Sequence, residues 1–123
     1  MESIKKNFKH FSPRTNLLSG FDELDKIIHS FDKSNLYILA GRPGMGKTTL
    51  GLTLVHYLSL NQKANVVVIS YEMTTYQIIS RLLAINSGVA NNKILNQDLN
   101  DREKSLLKSA ETELDNANNI FID

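Results

Sequence analysis

Leu39–Gly51 reads LAGRPGMGKTTLG. Gly41, Gly46, Lys47 and Thr48 fit the spacing G-x-x-x-x-G-K-[ST], set between two apolar runs. Each residue type answers a need. Glycine permits backbone angles and close approaches that a Cβ forbids. The N–H groups of such a loop converge on phosphate oxygens, and a helix that follows adds the positive end of its dipole. Lys47 supplies a point charge for the β- and γ-phosphates, and the Thr48 hydroxyl is placed to ligate Mg²⁺. Thr49 is within reach of the α-phosphate side. The stretch Gly41, Arg42, Pro43, Gly44, Met45, Gly46, Lys47, Thr48 and Thr49 is therefore the candidate site for a triphosphate and Mg²⁺.

Reading outward, Leu36–Ala40 (LYILA) is a short continuous apolar run, expected as a strand buried on both faces. After the loop, Leu50, Leu54, Tyr57 and Leu58 mark one face of a helix over 47–60. Gly51 either lets that helix lie close to a sheet or is simply a weak helix position. Val66–Tyr71 (VVVISY) reads as a second buried strand. Thr74 and Gln77 form a capping-box pattern ahead of a helix with Ile78, Ile79, Leu82 and Leu83 inward, and Gly88 is its stop. Asn100 and Glu103 open a further helix, with Leu106, Leu107, Ala110 and Leu114 inward. Ile120–Ile122 begins a third strand. Upstream, Phe21, Leu24, Ile27 and Ile28 predict a short helix over 21–28, while the Asn91-Asn92 and Asn118-Asn119 pairs read as turns. Strands alternating with helices imply an α/β fold with a parallel sheet, where ligands bind beyond the C-terminal strand ends.

Hydrolysis needs a carboxylate to orient and deprotonate water. Glu72 follows the VVVISY run at the same sheet rim as the loop. Spacing alone reads it equally as that carboxylate or as an acidic residue ahead of the helix opened by Thr74. Asp123, after IFI, superficially fits the aspartate that holds a Mg²⁺ shell. Arg81 reads either as a residue approaching nucleotide or a neighbouring subunit, or as a solvated helix arginine. Tyr71 and Tyr76 are expected to pack, and His10, His29 and His56 show no metal or triad spacing.

Composition narrows the classes. The 123 residues have room for one core, and a net charge of +1 gives no argument for nucleic acid. The absence of cysteine excludes disulfides and thiolate zinc and suits a reducing, cytoplasmic setting. No run approaches the ~20 apolar residues that span a bilayer, so no membrane partner is expected. The opening MESIKKNFKHFSPR has no apolar core of a secretory signal and reads as a tail over 1–14.

With these residues in place, the sequence resembles the RecA-type ATPase domain of DnaB-type replicative DNA helicases. The family pattern A-R-P-x-M-G-K-T stands here as GRPGMGKT, Gly41–Thr48. Its T-G-F-x-x-L-D is SGFDELD, Ser19–Asp25, and its S-x-E-M is SYEM, Ser70–Met73. A following R-L-L…G-V matches Arg81, Leu82, Leu83, Gly88 and Val89, and IFID resembles the next strand. The likeness runs over roughly residues 15–123 in unbroken order. Where the family carries a glycine-rich turn, this chain reads IIHSFDKSN, Ile27–Asn35.

The resemblance implies a RecA-like P-loop NTPase fold, with a parallel sheet flanked by helices and incomplete as it stands. It implies Glu72 as the catalytic glutamate and Arg81 as an accessory residue. It also implies ATP and Mg²⁺ as ligands, single-stranded DNA as the partner of a complete family member, and a homo-hexamer in the family. The family's magnesium aspartate strand, DNA-gripping loops and arginine finger lie beyond the point matched by Asp123. The chain is thus expected to be the N-terminal half of a motor domain. Two other readings stay open: a RecA-like ATPase of the recombination or circadian-clock type, and a non-enzymatic nucleotide-binding module that joins helicase subunits.

Overall fold

The computed structural model describes residues 16–32 and 34–123, so the expected tail over 1–14 lies outside the described residues. The chain divides into two compact units, Met1–Ile38 and Leu39–Asp123.

In the first unit, helix α1 spans Asp22–Ile28, as the apolar spacing predicts. Its entry is held by Asp25, whose Oδ1 accepts the Ser19 N–H at 2.7 Å. Desolvation pushes the Asp25 carboxyl up, but bonds from the Ser19 hydroxyl and the Ser19 and Gly20 N–H groups outweigh it and hold the group below its ordinary value. The exit is strained. His29 has φ 62° and ψ −48°, and the Ser30 N–H reaches back to the Ile28 carbonyl at 2.7 Å. That is the strained hand of the γ-turn. Ser34 also takes a positive φ of 67°. Both stand within the stretch IIHSFDKSN, Ile27–Asn35.

LYILA does not form the expected strand. Residues 35–40 have no strand pairing, and Leu36 and Ile38 are 86% and 81% exposed. Within the first unit, Tyr37 serves the preceding loop instead. Its hydroxyl donates to the Ser30 carbonyl and accepts the Asp32 N–H, each at 3.0 Å, and its ring stands edge-on to Phe31. An apolar run becomes a strand only when a neighbour takes its backbone groups, and none among the described residues does so.

The second unit contains α2 (Lys47–Leu60), β1 (Val66–Val68), α3 (Thr75–Ser87), α4 (Asn91–Asn96), α5 (Asp101–Ala117) and β2 (Ile120–Ile122). The two strands pair in parallel with Val66 opposite Ile120, Val67 opposite Phe121 and Val68 opposite Ile122. Both capping boxes form. Thr74 Oγ1 accepts the Gln77 N–H and Asn100 Oδ1 accepts the Glu103 N–H, each returned by the N3 side chain. Gly88 ends α3 at φ 72°, and Asn118 ends α5 at φ 46°. Asn91-Asn92 is not the expected turn but the first turn of α4. Gly51 has open space where its Cβ would be, so it is only a weak helix position.

Two apolar clusters hold these helices. Leu52, Ile78 and Leu82 pack under Val68, Ile120 and Ile122, while Leu83, Val89, Ile94 and Ala110 join α3, α4 and α5. On α2 the buried positions are Leu52 and Ser59, not the Leu50–Leu58 face expected from spacing; an apolar helix surface leaves that choice to its neighbours. Ile79 and Leu106, expected inward, are 43% exposed. Asn119 is buried and donates to the Ser59 carbonyl at 2.8 Å, tying the α5–β2 corner to α2.

Within the second unit the sheet is covered on one face only. Val66, Val68, Ile120 and Ile122 are partly covered, whereas Val67 and Ile69 are 63% exposed and Phe121 is 53% exposed. The expectation of strands buried on both faces fails for this reason: the helices of the second unit that touch the sheet all pack on the same side.

Candidate nucleotide-binding site

The loop is shaped by a turn and a helix start. Arg42–Met45 closes with the Met45 N–H on the Arg42 carbonyl at 3.3 Å. Pro43 second and Gly44 third, at φ 76°, is the residue order of a type II turn. Gly46, at φ 85°, is the N-cap of α2 and offers no side chain to the first-turn N–H groups, which leaves those donors for a ligand. Lys47 folds over the loop, its Nζ donating to the Gly41 carbonyl at 3.1 Å and the Arg42 carbonyl at 3.4 Å. A Cβ on Gly41 would lie 3.4 Å from the Lys47 Cγ, in van der Waals contact with the lysine stem.

A cavity of about 470 Å³ opens beside this loop, lined by Pro43, Gly44, Gly46, Lys47, Thr48, Thr49, Glu72 and Arg81. Glu72 arrives on the segment after β1, where the Ser70 Oγ accepts the Met73 N–H at 3.0 Å and bends the chain toward α3. Arg81 arrives from the middle of α3, between the buried Ile78 and Leu82. Residues far apart in sequence thus meet around one opening. Gly41, Arg42 and Met45 do not line it; the first two act through their carbonyls on Lys47. Asp123 lies close in backbone terms, its N–H on the Val68 carbonyl at 3.0 Å, but is not among the lining residues. Tyr71 and Tyr76 do not pack as expected, being 99% and 60% exposed.

The donor set suits a phosphate ester with a hard cation. Among the described residues no three His, Asp or Glu side chains gather into an all-protein metal cage. Thr48, Thr49 and Glu72 are the oxygen-bearing side chains beside a cationic lysine and a helix N-terminus, a set that could hold Mg²⁺ by few protein oxygens together with phosphates.

Residues 16–123 match the DnaB-like helicase C-terminal domain family. The chain belongs to that family. A probable replicative DNA helicase of Guillardia theta is 36% identical over 123 residues, all of this chain and 20% of the relative. The replicative DNA helicase DnaB of Haemophilus influenzae is 34% identical over 121 residues, 98% of the chain and 26% of the relative. That of Pasteurella multocida is 38% identical over 110 residues, 89% and 24%. The chain thus spans about a fifth to a quarter of the length of these relatives, as part of a DnaB-like C-terminal domain with its RecA-like α/β fold. Among the described residues no helix is long and apolar enough to cross a membrane.

The sequence offered the loop, Glu72 and Arg81 as candidates, and the structure brings Glu72 and Arg81 to one cavity with loop residues Pro43, Gly44, Gly46, Lys47, Thr48 and Thr49. The bond by which Asn86 on α3 meets His56 on α2 had no signal in the sequence, since no spacing relates residues thirty positions apart.

Proposed function

We propose that this chain is the ATP-binding portion of a cytoplasmic replicative DNA helicase, working as part of a ring of like subunits on single-stranded DNA. The observation that carries the reading is the cavity that gathers Lys47, Thr48 and Thr49 with Glu72 and Arg81. In this reading Lys47 leaves the Gly41 and Arg42 carbonyls and moves to the β- and γ-phosphates. The first-turn N–H groups of α2 take phosphate oxygens, and Thr48 contributes a ligand to Mg²⁺. Glu72 orients and deprotonates the attacking water, and Arg81 is an accessory residue in the lining of the same cavity. Bound ATP supplies the phosphoryl group whose transfer drives strand separation by the whole protein. Residues 15–123 form the N-terminal half of the motor domain, and residues 1–14 a tail.

Calorimetry with Mg·ATP tests the reading. Lys47 exchanges two exposed carbonyl bonds for charged phosphate bonds, worth about 1.5–3 kcal/mol before that exchange. Lys47→Ala should therefore weaken binding by roughly ten-fold or more, while Glu72→Gln leaves binding and removes turnover in an assembled ring. Equal affinity in the Lys47→Ala chain would refute the site. A second reading, a nucleotide-binding module that joins other helicase subunits, draws on the bare sheet face at Val67, Ile69 and Phe121.

A further inference from the structure

Behind the cavity, Asn86 joins three helices through one amide. Its Oδ1 lies 2.9 Å from His56 Nε2 on α2. Its Nδ2 donates to Glu113 Oε2 at 3.1 Å and to the Ala110 carbonyl at 3.4 Å, both on α5. The orientation is dictated by chemistry. A carboxylate and a carbonyl only accept, so the NH₂ must face α5 and the oxygen must face His56, whose Nε2 then carries the proton.

The tie has a definite place relative to the cavity. Lys47, Thr48 and Thr49 at the start of α2 and Arg81 on α3 line the opening. His56 lies about 13 Å further along α2 and Asn86 about 7 Å further along α3, at 1.5 Å per residue. The two helices therefore run the same way from the cavity, in contact through Leu52, Ile78 and Leu82, and are pinned together beyond that contact. Apolar packing resists separation but is weakly directional, whereas a hydrogen-bonded amide resists sliding as well.

We propose that Asn86 is a positioning residue for the cavity, setting the distance of the Lys47–Thr49 turn from Arg81 through its bonds to His56 and Glu113. The proposal rests on the reading of the cavity as a nucleotide site. Asn86 touches no nucleotide; it acts through α2 and α3.

An amide–carboxylate exchange tests this. Asn86→Asp sets a carboxylate against Glu113. Adding Glu113→Gln returns an amide donor at 113 to a carboxylate at 86 that still accepts from His56, giving up only the long bond to Ala110. Affinity is read with a fluorescent N-methylanthraniloyl ADP and Mg²⁺. Spacing is read without nucleotide, as the dipolar distance distribution between spin labels at Thr53→Cys and Tyr76→Cys, in a chain with no cysteine of its own. Asn86→Asp should weaken nucleotide binding about five-fold, the equivalent of one ordinary hydrogen bond, and broaden the distribution. The double variant should restore both. Lys93→Met, which breaks the Lys93–Glu103 bridge between α4 and α5 without touching α2, should change neither. A distribution that ignores Asn86→Asp, or a double variant no better than the single, would overturn the tie. Spacing that follows the exchange in a chain that binds no nucleotide would uphold the tie and overturn the nucleotide reading alone.

Discussion

The bare sheet face makes a quantitative prediction. Val67 and Phe121 sit directly opposite each other in the parallel register and point away from the helices. Replacing them together, Val67→Lys with Phe121→Glu, puts an opposite-charge pair at adjacent positions on that face. Val67 is 63% exposed and Phe121 53% exposed, so only a third to a half of each side chain loses cover. Full burial of such a side chain is worth about 1.5–3 kcal/mol, which puts the loss near 1 kcal/mol per residue. A cross-strand ion pair returns about 0.2–1 kcal/mol, leaving a net cost of roughly 1–2 kcal/mol for the two changes together. Leu82→Ala, at a residue 3% exposed inside the cluster under the sheet, should by contrast cost about 2.7–5 kcal/mol. Urea denaturation compares the two. Sedimentation velocity adds an independent check, because an uncovered apolar face and open strand edges recruit other chains. The charged pair should lower self-association while leaving unfolding cooperative. A cost for the pair near that of Leu82→Ala would mean that the face is covered in solution, and the one-sided sheet would be wrong.

Other expectations follow from local geometry. His29→Gly should stabilise the chain by up to about 1 kcal/mol, since glycine enters the positive-φ region without the side-chain penalty but brings its own chain entropy; a lower urea midpoint would contradict the strained γ-turn. Thr74→Ala should cost about 1 kcal/mol by uncapping α3, with thermal unfolding as the measure and no change at all as the contrary result. The Lys93–Glu103 bridge, 2.7 Å long, holds the Glu103 carboxyl below its ordinary 4.5, first through the Lys93 bond and then through the Asn100 N–H; the same bond raises Lys93 above its ordinary 10.5. Glu103 therefore contributes stability that is present above pH 4.5 and fades as the pH falls through its lowered value, while the Lys93 contribution is present below pH 10.5 and fades above it. The stability gap between the natural chain and Glu103→Gln should close in acid, and a gap constant from neutral pH to strong acid would refute the assignment.

Features whose partners lie within a turn of helix were legible without the fold. The two capping boxes, the Gly88 stop and the glycine loop are all satisfied by bonds across a few residues, so sequence alone determined them. It also offered Gly41–Thr49 as the candidate phosphate-binding residues. Tertiary structure decided what depends on distant partners. LYILA and VVVISY look alike as apolar runs, yet only Val66–Val68 finds a parallel neighbour, in Ile120–Ile122. Which face of the strands is covered, which side of α2 is buried, and that Glu72 and Arg81 share an opening with Lys47 were likewise settled by packing. So was the place of Asn86, whose partners stand 30 and 27 residues away. The physical reason is range. A cap or turn closes through bonds whose geometry the local chain already sets. A strand, a buried face or a shared cavity exists only when separate segments remove one another's surface from water, and no neighbouring residue records which segment that will be.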